Sequence, residues 1–220
     1  MFEVAILMIS PELEHDEFEK LLPLVSPEKR ERIKKFHFFQ DARNCLLGDV
    51  LSRVEICRAT GLSNRQLYFS VNEFGKPFLI TNPNVHFNIS HAGHYAACTV
   101  ADKAVGIDVE VIKPIDFKIA ERFFVSDETT YIMSDEILDE KTLRFFEVWT
   151  KKESHIKWEG KGLYKPLTSF SVFDVIQCNQ PIYHKIFQSD EVICHTCSLK
   201  EEAPSVRFID TTSLMRSIKI

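Results

Sequence analysis

The chain has 220 residues, 45% of them apolar and 27% charged, with a formal net charge of −5. This is an ordinary globular composition with room for a sizeable core. The acidic balance excludes a global cationic field for holding nucleic acid, so any anion site must be built from local clusters.

The first apolar run, "MFEVAILMIS", carries Glu3 and no basic residue. It is too short to span a bilayer, no small-residue cleavage site follows it, and it reads as a first strand. No other segment approaches a membrane span, so a cytoplasmic protein is expected. Ser26-Pro27-Glu28 is a helix start, with an N-cap serine, a proline at the first helical position and an acid in the first turn. The helix that follows carries Lys29, Arg30, Arg32, Lys34 and Lys35. A second helix is expected from Asp41 to Thr60. Along it Ala42, Leu46, Leu47, Val50, Leu51 and Val54 form a helical stripe, and Gly61 stands where a terminating glycine belongs.

The period then changes to two. "LYFSV" and "KPFLI" flank "NEFG" as one hairpin, and "YAACTV" and "AVGIDVEV" flank "ADK" as another. Helical spacing returns from Phe117 to Phe124, and an acidic stretch runs through Glu140. A long helix spans Lys141 to Trp158, ended by Gly160 and Gly162. "FSVFDVI", "PIYHKIF" and "EVICHTCSL" read as strands. The order gives an α+β fold with antiparallel pairing rather than regular βαβ alternation.

Six cysteines (Cys45, Cys57, Cys98, Cys178, Cys194 and Cys197) lie mostly inside apolar periodic segments, the usual place for reduced thiols. The Cys194-x-x-Cys197 pair, with His195 between, lacks the four ligands of structural zinc, and its alternation favours plain strand residues.

Three segments carry chemistry. In "AVGIDVEVIKP", Asp108 and Glu110 stand two apart on a strand and share a face, while Ile107, Val109 and Val111 take the other. Two adjacent carboxylates repel. The pair is either a solvated strand face or the start of a site for a hard divalent cation, which prefers oxygen ligands. In "LRFFEVWTKKESHIKWEG", an apolar stripe runs through Phe145, Phe146, Trp149 and Ile156, with Lys152, Glu153 and Lys157 on or beside it. Glu153 either pairs with Lys157 one turn on or meets Asp108 and Glu110 as a third ligand. The second reading accounts better for an inward carboxylate, because an unpaired buried charge is costly.

In "VHFNISHAGHY", Asn88, Ser90 and His91 cluster at the end of a strand before an Ala92-Gly93 turn. Hydroxyl, imidazole and backbone N–H groups there suit a phosphate. A Ser–His nucleophile is disfavoured, since no G-x-S-x-G elbow is present and neighbours on an extended chain point apart. No Walker loop or dinucleotide glycine motif occurs.

The blocks "FNISHAGHY", "VGIDVE" and "VWTKKESHIKWEGKGL", in this order, resemble the 4′-phosphopantetheinyl transferases of the longer, surfactin-synthetase-activating type. Weaker similarity runs through "SPEKRERIKKF", "LLGDVLSR", "FGKPF", "KPIDFKIAERFF" and "PLTSFSV". The resemblance implies an α+β fold of two similar lobes with pseudo-twofold symmetry and antiparallel sheets packed with helices, here residues 1–103 and 104–220. It implies a monomer, coenzyme A between the lobes as co-substrate, and Mg²⁺ (with Mn²⁺ as an alternative) on Asp108, Glu110 and Glu153. The implied partner is an acyl or peptidyl carrier protein of fatty acid, polyketide or nonribosomal peptide synthesis, with neither nucleic acid nor membrane involved.

By the same resemblance Glu153 accepts the serine proton, directly or through a metal-bound water, and Glu128 in "FFVSDE" is the second acid for that role. Lys157 stabilises the pyrophosphate and the leaving group. Ser90 and His91 contact the coenzyme's phosphates, with Lys29, Arg32 and Lys76 around the 3′-phosphate and adenine end. Asn44 and Cys45 depart from an arginine–hydroxyl pattern common in relatives, leaving Arg43 as the available substitute. A carrier-binding or nucleotide-binding module without catalysis would keep the fold but would not need the three acids.

Overall fold

The computed structural model describes residues 1–10, 15–174 and 180–218. In chain order the strands are β1 (Phe2–Met8), β2 (Phe69–Val71), β3 (Pro77–Leu79), β4 (His86–Ala92), β5 (Tyr95–Ala101), β6 (Val105–Val111), β7 (Ile182–Gln188), β8 (Val192–Ser198) and β9 (Ser205–Asp210). The helices are α1 (His15–Leu21), α2 (Pro27–Ile33), α3 (Phe39–Thr60), α4 (Lys118–Phe123), α5 (Ser126–Met133), α6 (Leu138–Glu159) and α7 (Thr211–Ser217).

Local chemistry sets the helix ends. The Ser26 side chain accepts from Lys29 N and opens α2, with Pro27 at its first position. The two long helices, α3 and α6, are each 22 residues and each stop at a left-handed glycine, Gly61 at φ 74° and Gly160 at φ 73°. Only a residue without Cβ adopts that conformation cheaply.

One sheet has the order β4-β5-β1-β9, the other β6-β8-β7, and β2 pairs with β3 alone. Strand alternation assigns their faces. Ala5, Leu7, Cys98 and Val100 point to α3, where they meet Leu46, Leu47, Val50 and Leu51. Their neighbours Val4, Ile6 and Ala97 point the other way and pack on Ile107, Val109, Val192 and Cys194 of the second sheet. The far side of that sheet carries α6, whose Phe145, Phe146 and Val148 join Ile193 in a further cluster. The layers are therefore helix, sheet, sheet, helix, and each half supplies one long helix and most or all of one sheet.

The structure changes three expectations. β5 and β6 form no hairpin: β5 is filled on both edges by β4 and β1, and β6 pairs with β8. Residues 171–174 form a turn instead of a strand, and the remainder of "FSVFDVI" lies outside the described residues. β9 runs parallel to β1, with Glu3 in register with Ser205, so the end of the second half returns to the first sheet. A division at 103/104 separates the two sheets except for this strand and α7.

The Cys-x-x-Cys segment is an interior strand: every residue of β8 is buried, and His195 Nδ1 lies 2.8 Å from Thr150 Oγ1. The five cysteines among the described residues are free, and Cys178 lies outside them.

Candidate active site

β4 and β6 lie side by side at the edges of their sheets without a backbone ladder. The Asn88 side chain bridges them, its Oδ1 accepting Ile107 N–H at 2.9 Å. Two residues further along β4 and one along β6, the same proximity brings Ser90 to Asp108. Ser90 Oγ donates to Asp108 Oδ1 at 2.9 Å, and Lys157 Nζ donates to both, at 2.9 Å and 2.6 Å. Lys157 comes from α6, which sits directly on β6 at Gly106. A Cβ there would overlap the Ser154 carbonyl oxygen and lie 2.5 Å from Trp158 N. The glycine two residues before Asp108 thus fixes how near the helix cation comes to the strand acid.

The alternation read from the sequence holds: Ile107 and Val109 are in the inter-sheet core, while Asp108 and Glu110 face α6. Asp108 is 3% exposed, and burial raises its pKa against the pull of Lys157 and Ser90. Glu110 is pushed up to about 7, first by burial and then by the charge of Asp108, against the opposing pull of the Trp149 side chain. Burial and the charge of Asp108 also raise Glu153. Glu153 forms no ion pair with Lys157 among the described residues, because that ammonium is drawn to Asp108. Trp149 was legible only as part of the apolar stripe; its place one turn before Glu153 is the signal for its contact with Glu110.

Asp108 raises both of the other acids, and three carboxyl groups so placed suit a cation. Asp108 Oδ2 is buried with no hydrogen-bond partner, an oxygen that a hard divalent ion would satisfy. Among the described residues, however, no three His, Cys, Asp or Glu side chains stand already assembled as a metal cage. The donor set fits the ion; the side chains have not closed on it.

Lys29 and Lys157 bring positive charge to the same edge. His91 is exposed at the end of β4, and partial desolvation followed by the charges of Lys157 and Lys29 holds its pKa below the ordinary value. Lys29 leans on Asp49 at 3.5 Å. Arg32 is exposed and makes no ion pair among the described residues. Arg43 is buried and donates to Ser10 O at 3.3 Å, so its guanidinium belongs to the packing of α3. Asn44 donates to Gly93 O at 2.8 Å and pins the turn after His91, while Cys45 is in the core. Lys76 is not aimed at open solvent either: its ammonium donates to Val105 O and Trp158 O, at 3.1 and 3.2 Å.

A cavity of about 290 Å³ is lined by Phe74, Lys76, Asn88, Glu153, Lys157 and Gly160, residues from both halves of the chain. A larger one of about 520 Å³, between α3 and α7, shares no residue with this group.

Glu128, expected as the second acid for the reacting serine, is paired away from this cluster. It is fully buried, its carboxylate 2.9 Å from the equally buried Lys152 ammonium and accepting Val125 N and Val172 N. Lys152 also donates to Leu167 O and Phe170 O, so the pair ties α5, α6 and the 167–172 segment together. Glu128→Gln leaves an uncompensated buried ammonium and is expected to cost about 3–5 kcal/mol of stability. The rate per folded molecule should escape the roughly 10²–10⁴-fold loss of a missing general base. Thermal unfolding beside single-turnover transfer checks this, and a rate loss of that size at unchanged stability would return Glu128 to catalysis.

A family model described as "4'-phosphopantetheinyl transferase, N-terminal" matches residues 11–103, and one described as "4'-phosphopantetheinyl transferase superfamily" matches residues 104–210. The 4′-phosphopantetheinyl transferase Sfp of Bacillus subtilis is 40% identical over 187 residues, 81% of this chain and 83% of that protein. The 4′-phosphopantetheinyl transferase gsp of Aneurinibacillus migulanus is 37% identical over 183 residues, 83% of this chain and 76% of the relative. The mouse L-aminoadipate-semialdehyde dehydrogenase-phosphopantetheinyl transferase is 32% identical over 174 residues, 72% of this chain and 55% of its own length. With both halves matched and the Ser90–Asp108–Lys157 cluster formed where they meet, this chain belongs to the 4′-phosphopantetheinyl transferase superfamily.

Proposed function

We propose that this chain transfers the 4′-phosphopantetheine arm of coenzyme A to a serine of an acyl or peptidyl carrier protein. The observation that carries the reading is the Ser90–Asp108–Lys157 cluster beside Glu153, with His91 and Lys29 at its edge. It offers acids for a cation and cations for phosphates within one cleft, as expected of an enzyme acting on a pyrophosphate.

The carrier serine oxygen forms a bond to the phosphorus that bears pantetheine. The bond from that phosphorus to the bridging oxygen breaks, and adenosine 3′,5′-bisphosphate leaves. Glu153, whose raised pKa suits it to accept a proton, takes the serine proton. Lys157 meets the charge that develops on the leaving bisphosphate. Ser90 and His91 hold phosphate oxygens, and Lys29 and Arg32 attract the 3′-phosphate end. Asp108, Glu110 and Glu153 would hold Mg²⁺, or Mn²⁺ in its place, which when bound neutralises charge on the pyrophosphate.

We further propose residues 1–103 and 104–220 as the lobes, with the last strand exchanged back onto the first, acting as a monomer in the cytoplasm. No helix among the described residues is long and apolar enough to cross a membrane.

Incubation with coenzyme A, Mg²⁺ and an apo carrier protein tests the reading, with the carrier weighed afterwards. The expected result is one added phosphopantetheine, lost when the carrier serine is replaced by alanine or when the divalent ion is chelated. No mass gain on any of several fatty acid, polyketide and peptide carriers would remove the proposal.

A further inference from the structure

The tip of the β2–β3 hairpin belongs to the first half of the chain, yet it is built into the end of α6. Asn72 Oδ1 accepts from Phe74 N at 3.0 Å and Lys76 N at 2.8 Å, which folds the turn on itself. The same side chain donates through Nδ2 to Gly160 O at 2.8 Å. The Lys76 stem crosses Gly160, where an added Cβ would come within 2.8 Å of Lys76 Cδ. Its ammonium reaches Trp158 O at the end of α6 and Val105 O at the start of β6. The Phe74 and Tyr164 rings, 5.4 Å apart, close the outside of this junction.

The last carbonyls of a helix have no partner within it and carry the negative end of its dipole, so a cation and an amide donor there are favourable. Lys76 has no carboxylate partner among the described residues, and burial lowers its pKa to about 8. A half-buried ammonium left with only backbone acceptors has a role those carbonyls explain. They flank Gly106 in space, the point where α6 rests on β6 and from which Lys157 reaches Asp108.

We propose that Lys76 and Asn72 form a latch between the halves that sets the axial position of α6, so that Lys76 is a positioning residue for Glu153 and Lys157 and not a ligand of the coenzyme's 3′-phosphate. The kinetic part rests on the transferase reading above; the structural part does not.

The test compares Lys76→Met, Lys76→Arg and Asn72→Ser with the parent, using coenzyme A and 3′-dephospho-coenzyme A as paired donors. A latch predicts that Lys76→Met lowers kcat at least about tenfold, in line with the cost of small misplacements at a reacting centre. The loss should be equal for both donors, with each KM little changed, and Lys76→Arg should restore part of it. Amide hydrogen exchange, measured without any substrate, should accelerate across residues 157–162 in both Lys76→Met and Asn72→Ser. A KM rise for coenzyme A alone, bringing it level with the dephospho donor, would make Lys76 a phosphate ligand and overturn the proposal. Unchanged exchange at 157–162 would overturn it as well. If neither donor is used even by the parent protein, the transferase reading fails while the exchange arm still decides the latch.

Discussion

Asp108→Asn is expected to reduce transfer by at least about 10²–10³-fold, the size of loss seen when a preorganised charged contact is removed from a reacting centre. The substitution keeps the shape of the side chain and removes only its charge. In the parent, Oδ1 receives both Lys157 and Ser90, and Oδ2 has no protein partner. Asparagine cannot anchor the ammonium as an ion pair, and at the second position it offers either a neutral oxygen or an amide donor in place of a carboxylate. Fold stability should change little. Removing a buried negative charge relieves its desolvation, while Lys157, half-buried, regains water. Single-turnover transfer to an apo carrier, with thermal unfolding alongside, gives the measurement. A variant that keeps a tenth or more of the parent rate would strip Asp108 of its place at the centre of the site.

Gly106→Ala should act through structure and damage the fold far more than Asp108→Asn. The new methyl group would meet the Ser154 carbonyl, Trp158 N at 2.5 Å and the Lys157 carbonyl carbon at 3.0 Å, all backbone atoms of a long helix. A side chain could rotate away; a helix backbone must translate. Overpacking a core ordinarily costs about 1–3 kcal/mol, and a clash with main chain sits at or above the top of that range. The displacement also carries Lys157 and Glu153 away from Asp108, so activity should fall further than stability. Gly61→Ala is the useful contrast. Nothing lies within 4 Å of a Cβ there, and the only penalty is its φ of +74°. Soluble yield and thermal midpoint for the two variants separate close approach from backbone strain. A Gly106→Ala protein that melts with the parent would show that α6 does not depend on this contact.

The periodic parts of this fold were readable in the sequence. α3 and α6 announce themselves by spacing and by the glycines that end them, because a helix writes its own neighbours at three and four residues. The face assignment of Asp108 and Glu110 followed from strand geometry alone. Pairing partners were not readable: an alternating segment records that one face is buried and not which strand lies beside it. β5 and β6 were therefore joined in expectation across a short turn, although β5 already has a neighbour on each edge. Glu128 and Lys152 show a second limit. An acid in the first turn of a short helix looks like a solvated or catalytic group, and only the tertiary fold reveals that both members of the pair are buried against each other. Lys76 shows a third, since a lysine at a hairpin tip gives no sign of whether it faces a ligand or a carbonyl.

The return of β9 to β1 has a consequence for how the protein is made. β1 is synthesised before the other described strands, and its parallel neighbour β9 after all of them. Until Ser205–Asp210 emerges from the ribosome, one edge of β1 has no backbone partner, and its N–H and C=O groups stay open to other strands. Contacts so distant in sequence also make for slow closure. The first half is therefore a poor candidate for expression by itself, and a premature stop before residue 205 should expose the nascent chain to aggregation even though every acid and lysine of the site has already been translated.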